Sequence, residues 1–113
     1  MLFVYGTLRS EFNNEYARLL RSQAKLVGPA TVPGSIFRVG HYPAYKREPA
    51  GEVHGELYRL TDPETTLKAL DEYEGEDFER VVVQGAQVQS WIYQYKKEPP
   101  KYSRISSGDF CAP

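Results

Sequence analysis

The chain has 113 residues, 41% of them apolar and 26% charged, which fits one globular domain over residues 1–113. Its net charge of −1 gives no broad positive surface for nucleic acid or anionic lipid, and no apolar run approaches the 18 residues of a membrane span. The one cysteine, Cys111, excludes an internal disulfide, and the N-terminus lacks a signal-peptide pattern. We therefore expect a cytoplasmic monomer without membrane association.

The first half of the chain predicts one helix among short strands. Residues 2–6 are apolar, aromatic and β-branched, which is typical of a buried strand. Residues 11–22 place apolar side chains at helical spacing. Further short strands are expected at 24–27, 30–32 and 35–39, and turns at 40–43 and 48–51.

The second half predicts a strand, a helix and a hairpin. Residues 52–60 alternate as a strand, in which Gly55 indicates a bulge, a bend or a close backbone approach. Thr61 and Glu64 have capping-box spacing for a helix that ends at Glu74, before Gly75. A hairpin over 80–84 and 87–96 turns at Gly85-Ala86, and 102–105 is a last short strand.

These elements amount to six or seven short strands and two helices, with few strand-helix-strand alternations. That pattern argues against a doubly wound parallel sheet. We predict an α+β fold, in which a small, mostly antiparallel and closed β-barrel carries two flanking helices.

Glu74 is a carboxylate on the apolar face of the second helix. At about 100° per residue it falls within the stripe of Leu67, Leu70 and Tyr73, whereas Glu72 points outward. Burial, the negative end of the helix dipole and neighbouring acids would raise its pKa, as a general acid/base at neutral pH requires. The alternative is a frayed helix end, with Glu74 in water or paired with Arg80.

The stretch Tyr5-Gly6-Thr7-Leu8 follows the first strand directly. Gly6 permits unusual backbone geometry, so successive amides there would form a concave site for a carboxylate or phosphate. The alternative is an ordinary turn from strand to loop.

Other sites have weaker support. His41 and His54 have no metal-ligand spacing around them, so we expect no metal, and no nucleophile elbow indicates a Ser-His-Asp triad. Trp91, Tyr93 and Tyr95 beside lysines resemble a platform for single-stranded nucleic acid, but the acidic balance favours a core face.

The motifs together resemble the γ-glutamylcyclotransferase-like family, in its small single-domain (AIG2-like) branch. They occur in the family's order along nearly the whole chain. They are Val4-Tyr5-Gly6-Thr7-Leu8-Arg9, Pro33-Gly34, Gly40-His41-Tyr42-Pro43-Ala44, Val53-His54-Gly55-Glu56-Leu57-Tyr58, Leu70-Asp71-Glu72-Tyr73-Glu74-Gly75, Trp91-Ile92-Tyr93 and Ser107-Gly108-Asp109-Phe110.

The resemblance implies a small barrel and the conversion of a γ-glutamyl amine or amino acid to 5-oxoproline and the free amine, without a cofactor. It implies Glu74 as the catalytic acid/base and the loop of Tyr5, Gly6, Thr7 and Leu8 as the substrate-binding loop. Tyr42 and Tyr93 are predicted pocket walls. A non-catalytic barrel that binds a small carboxylate ligand or a protein partner is the alternative.

The chain departs from the family's pattern at two aromatic positions. Phe78 stands where members often have tyrosine, and Phe110 where they have tryptophan. Loss of the tyrosine hydroxyl is expected to change contacts with the substrate.

Overall fold

A computed structural model describes residues 1–85 and 88–112 as one curled sheet with two helices. The elements in chain order are β1 (Leu2–Val4), α1 (Glu15–Gln23), β2 (Ala24–Pro33), β3 (Ser35–Val39), β4 (Tyr42–Lys46), β5 (Glu52–Leu60), α2 (Pro63–Glu74), β6 (Phe78–Gly85) and β7 (Val88–Tyr95), then a 3₁₀ turn (Lys101–Ser103).

The strand order is β2-β5-β1-β7-β4-β3, and β6 pairs with β7 outside this path. β7 therefore contacts three strands, parallel to β1 and β4 and antiparallel to β6. The remaining pairs are antiparallel. The predicted α+β fold is confirmed, and the sheet curls into a half-barrel rather than the closed barrel that the sequence predicted.

β1 is buried on both faces, which explains why its sequence is a continuous apolar run. Phe3 packs inside the curl of the sheet with Ile36, Tyr45 and Ile92. Leu2 and Val4 alternate to the other face, where helix side chains such as Leu20, Leu67 and Leu70 cover them. Because β1 lies between β5 and β7 in the sheet, its C-terminal end lies in the middle of the molecule.

Gly55 lies in β5 opposite β1 and allows the two strands to approach closely. A Cβ at this position would lie 2.2 Å from the carbonyl oxygen of Val4. Of the three explanations that its strand position allowed, the close backbone approach applies.

Both helices begin later than their sequence patterns predict. α1 begins at Glu15 rather than at residue 11, because the Asn14 side chain caps it by accepting from the Ala17 amide at 2.8 Å. Asp62, not Thr61, caps α2, and the Thr61 hydroxyl instead donates to the Gln23 carbonyl at 2.7 Å. The chain before Asn14 is thereby left as a loop.

Several strand boundaries also differ from the prediction. β2 continues through the expected break at Gly28-Pro29 by a register shift against β5. The turn predicted at 40–43 is shorter, since Tyr42 and Pro43 already belong to β4. The predicted strand at 102–105 is a 3₁₀ turn followed by one bridge from Arg104 to Phe37.

The predicted hairpin of β6 and β7 is confirmed, with Gly85 paired to Val88. Of its predicted turn, Gly85 is instead the last residue of β6, and Ala86 lies outside the described residues. In the described part of the chain, neither helix has the length and apolar character needed to cross a membrane.

Candidate functional site

A cavity of about 330 Å³ opens between the loop that follows β1 and the C-terminal end of α2. The structure brings all the sequence-predicted site residues to its lining. They are Tyr5, Gly6, Thr7, Leu8, Tyr42, Glu74 and Tyr93.

The loop after β1 presents backbone amides without internal partners. The amides of Gly6, Thr7 and Leu8 donate no hydrogen bond to any residue in 1–85 or 88–112. The loop turns by a bond of 3.0 Å from the Arg9 amide to the Gly6 carbonyl, and Asn14 Nδ2 donates to the Thr7 carbonyl at 2.7 Å. Three consecutive free donors suit a carboxylate or an oxyanion.

Tyr5 anchors this loop with its side chain. Its hydroxyl donates to the Tyr93 carbonyl at 2.6 Å and accepts from the Tyr45 amide at 3.2 Å. Burial raises the pKa of this phenol well above its ordinary value. Because both bonds are internal, the hydroxyl of Tyr5 serves the fold.

Gly6 is required for space and not for an unusual backbone angle. It does not have a positive φ. A Cβ at Gly6 would lie 2.6 Å from Cγ of Pro43, on β4. The expectation of special backbone geometry at Gly6 is therefore wrong, and close packing against Pro43 replaces it.

Glu74 is the last residue of α2 and is partly buried in the cavity wall. Burial raises its pKa to about 7, and the negative charge of Asp71 adds to the shift. The sequence analysis expected the acids next to Glu74 to raise its pKa, and in the structure Asp71 makes this contribution. No ion pair to Glu74 occurs in the described residues, because Arg80 Nε pairs with Asp71 at 3.0 Å instead.

Asp71 is not among the residues that line the cavity, and it is the neighbour of Glu74 that the sequence analysis did not single out. Its Oδ1 accepts a hydrogen bond of 2.7 Å from the Tyr93 hydroxyl, which lies across the sheet on β7. Its helical spacing of three residues from Glu74 was the available signal, since side chains at i and i+3 are neighbours.

The predicted walls occupy different depths. Tyr93 is buried, whereas Tyr42 is 58% exposed and lies at the mouth of the cavity. Phe78 also lines the cavity and packs against Tyr95 with ring centroids 5.4 Å apart. Phe110 packs elsewhere, against Phe12 at 6.3 Å, so only the departure at Phe78 reaches the site.

The aromatic face of β7 is part of the core. Tyr93 and Tyr95 are buried, and the half-buried ring of Trp91 has the Arg80 guanidinium above it, so little of this face is open to stacking bases. This burial contradicts the nucleic-acid alternative.

A family model described as γ-glutamyl cyclotransferase, AIG2-like, matches residues 2–112. The chain belongs to this family. Among curated relatives, the γ-glutamylcyclotransferase family protein YtfP of Escherichia coli K12 is 32% identical over an alignment of 113 positions, which covers 96% of this chain and 94% of that protein. The motif resemblance is thus confirmed.

A further relative and a solved structure are also similar to this chain. The γ-L-glutamyl-butirosin B γ-glutamyl cyclotransferase of Niallia circulans is 33% identical over an alignment of 118 positions, which covers 93% of this chain and 72% of that protein. The crystal structure of protein PH0828 from Pyrococcus horikoshii matches with a TM-score of 0.78 at 25% identity, over 96% of this chain and 87% of that one.

Proposed function

We propose that this member of the family is a cofactor-independent γ-glutamylcyclotransferase. It acts on a γ-glutamyl amine or γ-glutamyl amino acid and releases 5-oxoproline and the free amine. The observation that carries the proposal is Glu74, a carboxyl group with a pKa near 7 in the same cavity as the free amides of Gly6, Thr7 and Leu8.

The reaction is an intramolecular acyl transfer. The α-nitrogen of the substrate attacks its own γ-carbonyl carbon, a C–N bond closes the five-membered ring, and the C–N bond to the departing amine breaks. No atom changes oxidation state, so the equation balances without a redox partner. The ring nitrogen releases one proton to solvent as the tetrahedral intermediate collapses, and the freed amine takes one up from solvent to leave as an ammonium ion. Before the attack, the α-ammonium group must lose a first proton, and the departing nitrogen gains a proton as its C–N bond breaks.

Glu74 carries this proton in the proposed mechanism. As a carboxylate it takes the proton from the α-ammonium group, and as a carboxylic acid it gives it to the departing nitrogen. A pKa of about 7 means that both forms are populated at neutral pH. Each assisted transfer typically contributes about 10²–10⁴-fold to the rate.

The loop amides orient the substrate. The N–H groups of Gly6, Thr7 and Leu8 bind the substrate carboxylate or the oxyanion that develops on the γ-carbonyl. By holding the γ-glutamyl chain folded, the site places the α-nitrogen against the γ-carbonyl carbon. This reactive conformation is rare in the free substrate and becomes favoured in the bound one. Tyr42 and Phe78 line the part of the cavity left for the departing amine.

The test is to incubate the protein with γ-glutamyl amino acids and with γ-glutamyl-ε-lysine, and to measure 5-oxoproline. Glu74→Gln is expected to abolish 5-oxoproline release. Its circular dichroism spectrum should match that of the wild type, and its melting transition should remain cooperative. Glu72→Gln is the matched control, because Glu72 is exposed on the same helix and lines no part of the cavity. Undiminished release by Glu74→Gln would remove this residue from the mechanism.

The binding-only alternative gives a different result in the same assay. A non-catalytic barrel would melt at a higher temperature with γ-glutamyl compounds present and yet release no 5-oxoproline from any of them.

A further inference from the structure

Asp71 lies one helical turn before Glu74 and is held from two strands. The Tyr93 hydroxyl, on β7, donates to its Oδ1 at 2.7 Å. Arg80, on β6, donates from Nε to Oδ1 at 3.0 Å and from Nη2 to Oδ2 at 3.2 Å. Both carboxylate oxygens are therefore fixed, although 43% of the side chain is exposed.

The backbone of Asp71 also closes the helix immediately after Glu74. Its carbonyl accepts the Gly75 amide at 3.1 Å, and Gly75 leaves the helix with φ +77°. The contacts of the Asp71 side chain with β6 and β7 thus hold the turn of α2 that carries Glu74.

Tyr93 connects this turn of α2 to the amide loop, which is the segment Gly6-Thr7-Leu8 after β1. Its hydroxyl holds Asp71, and its backbone carbonyl accepts the Tyr5 hydroxyl at 2.6 Å. One residue of β7 therefore anchors both sides of the cavity, and Asp71 is the point at which the helix is attached.

We propose that Asp71 is a positioning residue that acts through Glu74: it fixes the last turn of α2 and keeps a negative charge beside the Glu74 carboxyl group. Its effect on turnover rests on the proposed function. Its effect on the protonation of Glu74 does not, so the two ideas can fail separately.

Several ionisable groups lie near Glu74, and the negative charge of Asp71 adds to the effect of burial in raising the Glu74 pKa. Arg80 partly offsets that charge from β6, and Glu76 and Asp77 line the cavity beyond the helix end. Three tyrosine hydroxyls interact with Glu74 from β7, from α2 and from the end of β1, and burial raises the pKa of each, so that they stay neutral while Glu74 titrates. They are Tyr93, Tyr73 and Tyr5.

The decisive experiment titrates Glu74 by NMR in protein labelled with ¹³C at the glutamate carboxyl carbons, with its signal assigned by its loss in Glu74→Gln. In Asp71→Asn the charge is removed while an oxygen remains to accept from Tyr93, so the pKa of Glu74 is expected to fall. Glu72→Gln removes a charge from the outer face of the same helix and is expected to leave it unchanged. The same pKa of Glu74 in Asp71→Asn and in Glu72→Gln would overturn the proposal.

Arg80→Gln is expected to shift the pKa of Glu74 in the opposite direction. Loss of the guanidinium leaves the charge of Asp71 without its partner, so the pKa of Glu74 is expected to rise. This variant decides the matter alone if Asp71→Asn does not fold, since an unchanged or lowered pKa in Arg80→Gln contradicts the proposal.

Turnover gives an independent readout. In Asp71→Asn the acid limb of the kcat/KM profile is expected to move to lower pH, whereas a merely structural residue would lower the rate at every pH alike. Wild-type protein that forms no 5-oxoproline would refute the proposed function, and the NMR titration would still test the role of Asp71.

Discussion

Thr7 and Tyr73 join the two sides of the cavity by a hydrogen bond of 2.7 Å between their hydroxyl oxygens. Thr7 belongs to the amide loop, and Tyr73 precedes Glu74 on α2. The ring of Tyr16 stacks on Tyr73 with centroids 4.5 Å apart and fixes its orientation. This bond therefore helps to set the distance between the loop amides and the Glu74 carboxyl group.

Removing that bond is expected to impair turnover more than folding. Tyr73→Phe deletes one hydroxyl from a partly buried pair, which typically costs about 1 kcal/mol of stability. A displacement of the loop relative to Glu74 is expected to lower kcat about ten- to a hundredfold. Chemical denaturation and 5-oxoproline release measure the two effects.

The partner substitution tests whether the effect belongs to the bond. Thr7→Val keeps the shape of Thr7, and the double variant is expected to lose little more than either single variant. Tyr16→Phe retains the stacked ring and is expected to keep its activity. Fully additive losses in Thr7→Val and Tyr73→Phe would show that the two hydroxyls act independently.

Gly6→Ala is expected to displace the amide loop. The added methyl group would lie 2.6 Å from Cγ of Pro43, and relieving such overpacking typically costs about 1–3 kcal/mol. 5-Oxoproline release should fall with the loop displaced. The double variant Gly6→Ala/Pro43→Ala opens the space and should recover stability and part of the activity. Failure of Pro43→Ala to rescue would show that the steric contact is not the reason for glycine.

The fold was predictable from the sequence where burial has a clear pattern. The apolar run of β1 and the alternation of β5 define buried strands, and the 3.6-residue stripe of Leu67 and Leu70 fixes the inner face of α2. Element boundaries were less accessible because single side chains decide them. Asn14 and Asp62 cap the helices where other residues also fit. β4 pairs along its whole length with β3 and at Tyr45 with β7, although its sequence has no clear strand pattern.

The cavity was predictable only in part, for the same physical reason. The position of Glu74 on the apolar face follows from helical geometry alone. The contacts that surround it join residues far apart in the chain, such as Thr7 with Tyr73 and Asp71 with Tyr93. No local pattern contains that information, so the sequence analysis gave Asp71 no role beyond its place in a family motif.

The pH dependence of turnover tests the base directly. In the proposed mechanism Glu74 must be ionised to take the first proton, and its pKa is about 7. We therefore expect kcat/KM to fall about tenfold per pH unit below 7 and to level off above it. The same substrate is used at every pH, so that the pKa of its own α-ammonium group is constant throughout the profile. An acid limb centred near the ordinary carboxyl value of 4.5 would contradict the burial of Glu74.

Glu74 is also expected to destabilise the folded protein at neutral and higher pH. Its pKa is about 7 in the folded state against an ordinary value of 4.5, so the folded state binds the proton more tightly. The stability that this proton confers is complete below pH 4.5 and is lost as the pH rises through 7. Across that window the loss amounts to about 3 kcal/mol at most.

Glu74→Gln removes this titration and should stabilise the protein in a pH-dependent manner. The variant is expected to match the wild type at pH 4 and to exceed its unfolding free energy by up to about 3 kcal/mol at pH 8. Glu72→Gln, on the exposed face of α2, should show no such trend. Urea unfolding at several pH values measures the difference, and a difference that is constant with pH would mean that Glu74 titrates normally. A variant that gains stability as it loses turnover would identify Glu74 as a residue retained for its chemistry.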